Sequence, residues 1–301
     1  MMDGNSEEYV VICGRKYFVH NNTLDLNNIP CKFNEIEGFA NLKSLKRLYF
    51  EGNKIYKIEK LEDLCNLEFL ALSGNNLTEI NGLETLINLK ELSFGNGNYG
   101  GNPISEIKGL ERLTNLKYLY FTRNEIIEIK GLENLTKLEM LVLDQNKVTK
   151  ITGLDNLHNL SQLYLQFNKI VEIKGLENLE NLEILDLSYN NLKEIKGIEN
   201  LINLKEISLS NNKITEIKGF DNLENLESLT LAENEISEIK GLDSLKNLNY
   251  LDLSGNNIKQ IKGIENLPRL KELRVFRNPI EKVIESDPSD KLRIFGIAKT
   301  R

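Results

Sequence analysis

The 301-residue sequence contains no tryptophan, only two histidines, three cysteines and five prolines. With so few histidines and cysteines, a zinc site or histidine-based catalysis is not expected. No stretch reaches the roughly 18 consecutive apolar residues that a transmembrane helix needs. The polar, acidic start of the chain also lacks the basic and apolar segments of a secretory signal. These absences predict a cytoplasmic protein that is not an enzyme and that has no metal, no cofactor and no membrane partner.

The charge is moderately acidic and the thiols are few. Lys and Arg number 38 against 45 Asp and Glu, which gives a formal net charge of −7. An acidic chain repels phosphate, so nucleic acid is not expected as a partner. The cysteines Cys13, Cys31 and Cys65 are odd in number and form no CxxC pair, which predicts reduced thiols in a cytosolic protein.

A period of 22 residues dominates what is present. The pattern LxxLxLxxN occurs, for example, at residues 182–190 and 248–256. Its asparagine recurs in steps of 22 within two runs, but the step from Asn75 to Asn124 is 49, so one coil carries five extra residues near 95–101. The recurring residues are Asn53, Asn75, Asn124, Asn146, Asn168, Asn190, Asn212, Asn234, Asn256 and Asn278.

Each segment of the period has a physical interpretation. The LxL alternation predicts a strand with its leucines turned inward. A single coil cannot bury its own apolar residues, so neighbouring coils must stack and pair their strands in parallel. The asparagine amide can then satisfy backbone groups of adjacent coils. The glycine that recurs at positions such as 197 fits a turn with positive φ, and the short segment after it predicts 3₁₀ turns.

The pattern resembles the 22-residue subclass of leucine-rich repeats, which includes the repeat regulators of protein phosphatase 1 and the bacterial internalins. The resemblance covers roughly residues 30 to 284. It implies an α/β repeat fold: a right-handed, curved solenoid of about 11 to 12 coils, with a parallel β-sheet on the concave face and 3₁₀ turns on the convex face.

The ends of the solenoid need caps. We expect a disordered tail over residues 1–8, a β-hairpin cap over 9–30 with a turn at Gly14-Arg15, the solenoid over 31–284, and a C-terminal cap over 285–301. Leu24 and Leu26 are two residues out of register, and Cys31 falls one period before Asn53. Ser286-Asp-Pro288 resembles a helix start, so the C-terminal cap is expected to be a short helix.

Function is expected on the outward strand positions, which lie six, four and two residues before each asparagine and are not needed for the core. Aromatic and aliphatic residues cluster there, as they do in interface cores; alternatively, they stabilise the sheet only by cross-strand stacking. The glycine-rich insertion is expected to be flexible and to emerge beside this cluster, or else to be a neutral loop. The predicted partner-binding residues are Phe69, Tyr99, Tyr118, Tyr120, Met140, Val142, Asp144, Tyr164, Phe167, Ile184, Asp186 and Tyr189.

The sequence therefore predicts a monomeric protein–protein interaction module that binds a partner on its concave face. The resemblance to phosphatase regulators implies a regulator or scaffold for a signalling enzyme such as a phosphatase. Two alternatives stay open: an architectural repeat protein without a tight partner, and a cell-surface receptor-binding protein of the internalin type.

Overall fold

The computed structural model describes residues 8–283 and 292–296. The chain divides into two compact units, Met1–Asn146 (unit 1) and Lys147–Arg301 (unit 2). Most of the predicted tail over 1–8 and the predicted helix start at Ser286–Pro288 lie outside the described residues.

Unit 1 is built on a parallel sheet in which consecutive coils contribute neighbouring strands. The sheet order is β3-β5-β6-β7-β8-β9, and most neighbouring strands pair 22 residues apart, as Leu70 pairs with Leu92. The strands of unit 1 are β1 (Tyr9–Ile12), β2 (Arg15–Phe18), β3 (Thr23–Asp25), β4 (Ile36–Glu37), β5 (Arg47–Tyr49), β6 (Phe69–Ala71), β7 (Glu91–Gly95), β8 (Tyr118–Phe121) and β9 (Met140–Val142).

Unit 2 repeats the same design with greater regularity. Its parallel sheet has the order β10-β11-β12-β13-β14-β16-β18, and β15 pairs with β17 in a small second sheet. The strands are β10 (Gln162–Tyr164), β11 (Ile184–Asp186), β12 (Glu206–Ser208), β13 (Ser228–Thr230), β14 (Tyr250–Asp252), β15 (Gln260–Ile261), β16 (Glu272–Arg274), β17 (Lys282–Val283) and β18 (Arg293–Phe295).

The buried asparagine of each coil ties that coil to the one before it. The Asn190 amide donates hydrogen bonds to the carbonyls of Leu165 and Leu187, both at 3.0 Å, and its Oδ1 accepts from the Ile170 N–H at 2.9 Å. Asn75 in unit 1 makes the same set of bonds. The predicted role of the asparagine is confirmed, because each amide satisfies backbone groups that the coil geometry leaves buried.

The turn on the far side of each coil also follows the prediction. Leu201 N–H donates to the Ile198 carbonyl at 3.0 Å, an i→i+3 bond of the 3₁₀ type. Gly197 precedes this turn at φ +88°, and a Cβ there would lie 2.4 Å from the Ile173 carbonyl oxygen of the preceding coil. Glycine is thus required by both backbone conformation and space.

The N-terminal hairpin is present, but its turn differs from the prediction. Strands β1 and β2 are antiparallel with Ile12 opposite Arg15, so the two turn residues are Cys13 and Gly14 rather than Gly14 and Arg15. Both have positive φ, 49° and 76°, which is the type I′ geometry that matches strand twist. The hairpin pairs through β1 with β4 and so covers the start of unit 1.

The first coil is offset from the period by two residues, as expected. Leu24 pairs with Leu48, a separation of 24. The same offset places Ile29, not Cys31, opposite Asn53. The assignment of Cys31 to the asparagine position is therefore wrong, because the two-residue offset continues beyond the strand.

The C-terminal end differs from the expected helical cap where it is described. Residues Arg293–Phe295 form strand β18, which pairs in parallel with β16. The strand extends the sheet because the open edge of β16 offers unpaired backbone groups that a parallel strand can satisfy.

Candidate functional site

In unit 1 the predicted cluster on β8 and β9 is brought together. Tyr118 lies opposite Met140, and Tyr120 lies opposite Val142, on adjacent parallel strands. All four side chains are half-buried, whereas Leu119 between the tyrosines is fully buried. The Tyr118 hydroxyl donates to Glu139 Oε2 at 3.0 Å, and this hydrogen bond raises the pKa of Tyr118. Alternation within the strand thus turns the four predicted residues to one outward face.

In unit 2 the predicted residues on β10 and β11 also adjoin. Tyr164 lies opposite Asp186, and Ile184 lies opposite Gln162. The Tyr164 hydroxyl donates to Gln162 Oε1 at 3.1 Å. Asp186 Oδ1 accepts from the N–H and the hydroxyl of Ser188, at 2.9 and 2.6 Å. These contacts order a half-buried polar and aromatic strip on the outward face of unit 2.

Two predicted residues are more buried than a contact residue should be. Phe69 is 9% exposed, because its ring packs 4.7 Å from that of Tyr49 and the Arg47 guanidinium lies 4.4 Å above it. Asp144 is 7% exposed. Its position, two residues before the asparagine, is also buried at Ser73, so burial belongs to the position rather than to the aspartate. The expectation that these two side chains are exposed is wrong.

Phe167 and Tyr189 form an exposed stacked pair at the ends of successive strands in unit 2. Their ring centroids are 4.0 Å apart with planes 14° from parallel, and the side chains are 44% and 45% exposed. Exposed aromatic surface of this kind is typical of an interaction site.

The backbone position of this pair makes the aromatic residues unusual. Each residue immediately precedes the ladder asparagine, in what we call the strand-end slot, and has a left-handed φ of 54° or 55°. Bulky residues rarely adopt that conformation, which costs them about 1–2 kcal/mol. Other coils fill the slot with small or polar residues, namely Gly52, Gly74, Arg123, Gln145, Asn211, Glu233, Gly255 and Arg277. The coil therefore does not require an aromatic side chain in this slot.

The insertion near 95–101 is an ordered turn. Asn96 and Gly100 exchange two backbone hydrogen bonds of 3.1 Å. The Asn96 Oδ1 accepts from the N–H groups of Asn98 and Tyr99, at 3.0 and 2.9 Å. These bonds close the loop, so the expected flexibility is not what the structure shows.

Tyr99 lies away from the predicted cluster. Its ring and backbone cover Gly52 and Gly74, and its hydroxyl accepts a 3.4 Å hydrogen bond from Asn28 Nδ2. These partners belong to coils on the β6 side of β7, whereas Tyr118 lies on the β8 side. The expectation that the insertion joins the cluster of β8 and β9 is wrong, because the loop folds back over glycines that leave room for it.

Sequence reasoning missed a buried carboxylate beneath the insertion. Glu51 is 6% exposed and accepts a 2.6 Å hydrogen bond from Asn96 Nδ2. Burial raises its pKa, with a contribution from Asp25, against the opposing hydrogen bonds of Ser73 and Asn96. The only signal in the sequence is an acid two residues before a ladder asparagine, a position that is buried throughout the fold.

Sequence reasoning also missed that Asn102 belongs to the asparagine ladder. It is buried, donates to the carbonyls of Leu72 and Phe94 at 2.9 and 2.7 Å, and accepts from the Leu77 N–H at 3.0 Å. The extra residues between the strand and Asn102 broke the spacing by which the other ladder residues were found.

Chemistry other than binding finds little support. Within residues 8–283 and 292–296 no group of three His, Cys, Asp or Glu side chains is arranged to hold a metal ion. Over the same residues no helix is long and apolar enough to cross a membrane. The catalytic candidates that the sequence offered, His20 and His158, are both exposed.

Comparison with known families identifies the repeat. The family described as "Leucine Rich repeats (2 copies)" matches residues 65–112 and then overlapping pairs of coils from 114 to 288, which together exceed half of the chain. This chain belongs to the leucine-rich-repeat family. The fold predicted for the leucine-rich-repeat chain is thereby confirmed.

Solved structures of similar fold include an internalin, InlF, from Listeria monocytogenes. The leucine-rich-repeat chain is 26% identical to it over 93% of this chain and 87% of that one, with a TM-score of 0.79. A leucine-rich-repeat protein of Leptospira interrogans is 26% identical over 85% of this chain and 74% of its own, with a TM-score of 0.67. TLR13, in a complex with the RNA ssRNA13, is 26% identical over 86% of this chain and 44% of its own, with a TM-score of 0.72. No curated protein matches the sequence.

Proposed function

We propose that this leucine-rich-repeat chain is a protein-binding module, without enzymatic activity, and that the Phe167–Tyr189 pair of unit 2 anchors the partner. The observation that carries the proposal is the pair's strained backbone, since two bulky residues occupy left-handed positions that other coils fill with glycine or polar residues. The pair also leaves almost half of each aromatic side chain exposed. Exposed, rigid aromatic side chains are the usual anchors of protein interfaces.

The strip beside the pair supplies polar contacts. Tyr164, Ile184 and Asp186 are half-buried on the outward face of the same coils. Asp186 is held by Ser188, so its carboxylate is oriented before a partner arrives. Preorganised groups lose less conformational entropy on binding, which favours affinity.

The proposal is tested with a double variant, Phe167→Asn/Tyr189→Asn. Asparagine tolerates the left-handed conformation and already fills the slot at Asn211, so the variant should fold with a stability within about 1 kcal/mol of wild type, because only one stacked contact is lost. Quantitative affinity capture from cells of the source organism should show partners retained by wild type and lost by the variant.

The matched control is Val171→Asn/Ile202→Asn, which removes two exposed apolar side chains of unit 2 outside the strand-end slot. The control should retain the same partners as wild type. If the Phe167→Asn/Tyr189→Asn variant captures every partner that wild type captures, the stacked pair is not the anchor.

The likeness to InlF favours a second candidate function, receptor binding at a cell surface. That similarity extends over most of both chains at a TM-score of 0.79. Labelling of intact cells with an impermeant reagent distinguishes this candidate from the predicted cytoplasmic location, because only a surface protein is labelled. The regulation of a phosphatase stays a prediction from the sequence resemblance.

A further inference from the structure

A groove lined by lysines runs along the edge of unit 1 where the chain enters its strands. Lys46, Lys90 and Lys117 immediately precede β5, β7 and β8. The groove has a volume of about 670 Å³, and asparagine side chains line it between the lysines. In a chain of net charge −7, this concentration of one sign is notable. The lysine groove comprises Lys43, Lys46, Lys90, Lys117 and Lys137.

Carboxylates of the same coils neutralise only part of this charge. Glu68 lies between Lys46 and Lys90, with Nζ–Oε distances of 2.9 and 2.6 Å. The hydrogen bonds from Lys90 and Lys46 lower the pKa of Glu68 to about 2. Lys117 pairs with Glu139 at 2.6 Å. Five ammonium groups thus meet two carboxylates, and the groove keeps an excess of positive charge.

Lys43 and Lys137 carry the excess charge. Both are exposed, and neither forms an ion pair with any described residue of the chain. Lys137 Nζ donates to the neutral Asn115 Oδ1 at 2.7 Å. A charge that is matched only by a neutral amide can still attract an anion.

One end of the groove already holds a carboxylate of the chain itself. Glu8 Oε2 accepts a 2.5 Å hydrogen bond from the Ser44 hydroxyl, and Glu8 Oε1 accepts from the Ser44 N–H at 3.2 Å. Ser44 lines the groove between Lys43 and Lys46. The Glu8 carbonyl is held by the Val19 N–H at 2.8 Å, so the N-terminal hairpin places this carboxylate. The groove therefore accepts a peptide carboxylate in the free chain.

We propose that the lysine groove binds an acidic peptide segment of a partner protein and that Glu8 occupies one carboxylate position until the segment arrives. The spacing fits: β5 and β8 are three strands apart, so Lys46 and Lys117 are separated by about 14 Å. Four residues of extended peptide span about the same distance. Acidic side chains at every fourth position can thus meet these lysines.

Nucleic acid fits the groove less well. Glu68 sits between two of the lysines and would repel a continuous phosphate backbone, whereas a peptide can place an uncharged residue there. Single-stranded nucleic acid is also held by stacking on aromatic side chains, and no aromatic residue lines the groove. The groove is a separate surface from the Phe167–Tyr189 pair, so the two proposals stand independently.

The test is fluorescence anisotropy with a labelled polyglutamate peptide at low ionic strength. Wild type should bind the peptide, and added salt should weaken the binding. Lys43→Gln/Lys137→Gln should weaken binding about tenfold, since each variant residue removes one screened charge contact. Glu8→Gln should tighten binding about twofold to threefold, because it removes the internal competitor.

The control is Lys169→Gln/Lys213→Gln, which removes the same charge from exposed positions of unit 2 and should leave peptide affinity unchanged. The proposal is overturned if this control weakens binding as much as the groove variant, or if wild type does not bind the peptide. A single-stranded RNA of equal charge that binds more tightly than the peptide would also overturn it. An unchanged affinity in Glu8→Gln would overturn the competition by Glu8.

Discussion

In unit 1 the residue before the ladder asparagine Asn53 is Gly52, whereas in unit 2 the corresponding residues before Asn168 and Asn190 are Phe167 and Tyr189. All of these residues have nearly the same left-handed backbone, with φ between 54° and 65°. Glycine is therefore not needed for the conformation. Gly52 is needed because Tyr99 of the insertion lies across it, while the slot at Phe167 and Tyr189 projects its side chains outward.

The comparison separates two kinds of position in the same coil. The asparagine ladder makes the same hydrogen bonds in both units, because every coil leaves the same backbone groups buried. The strand-end slot has no such obligation, so each unit uses it differently. Unit 1 covers the slot with its insertion, and unit 2 displays an aromatic pair there.

The largest expected effect tests the part that the units share. Asn75→Ala in unit 1 and Asn190→Ala in unit 2 should each lower the free energy of unfolding by about 3 kcal/mol, because each leaves several buried backbone groups without partners. Urea unfolding followed by circular dichroism measures both, with the exposed Asn76→Ala as the control. Costs that differ more than twofold between the two variants would show that the ladder is not equivalent in the two units.

A smaller effect tests what differs. Gly52→Ala should cost about 2 kcal/mol, since a left-handed alanine is strained and its Cβ would lie 2.4 Å from Asn28 Oδ1 and 3.0 Å from the Tyr99 ring. Gly255→Ala in unit 2 should cost about 1 kcal/mol, because its Cβ meets only the flexible carboxylate of Glu233.

The contribution of Tyr99 is isolated by repeating Gly52→Ala in a Tyr99→Ala background. The cost of the alanine should then fall toward that of Gly255→Ala, as expected for residues in contact. An unchanged cost would mean that backbone strain alone sets the requirement for glycine at position 52.

The smallest effect concerns the carboxylate beneath the insertion, and it depends on pH. Because the folded pKa of Glu51 is raised above its usual 4.5, the folded state binds the proton more tightly than the unfolded state does. Glu51 therefore destabilises the fold when it is ionised, and this penalty disappears as pH falls through its folded pKa toward 4.5. Glu51→Gln should remove the penalty at neutral pH, since the amide still accepts from Asn96.

The measurement is the difference in unfolding free energy between wild type and Glu51→Gln from neutral pH to pH 4.5. The variant should be the more stable at neutral pH, and the difference should shrink on acidification. Glu68, whose pKa is lowered to about 2, acts below 4.5 and is common to both proteins. A difference that grows on acidification would contradict the burial of an ionised Glu51.

Periodicity predicted the elements that every coil shares. The strand at Ile184–Asp186, the inward amide of Asn190 and the left-handed turn at Gly197 all follow from residues that lie within one coil or one period apart. A repeat of 22 residues brings the same groups into contact at each step, so one correct coil predicts its neighbours.

Contacts made by departures from the period were not predictable in the same way. The reversal of Tyr99 onto Gly52, the burial of Glu51 under Asn96, and the seating of Glu8 on Ser44 each join residues of unrelated spacing. The insertion also hid Asn102 from the ladder. Their partners depend on the path of a loop or hairpin, which the periodic pattern does not specify.

The sequence by itself determined the repeat, the inward leucines, the asparagine ladder and the outward position of the aromatic residues on β8 to β11, because burial and backbone satisfaction leave few alternatives for a 22-residue coil. Only the tertiary structure decided which outward side chains are accessible. Phe69 is covered by Arg47, Tyr99 folds over glycines, and Phe167 stacks on Tyr189. Accessibility depends on the neighbour that each coil meets, and that neighbour is a product of packing rather than of period.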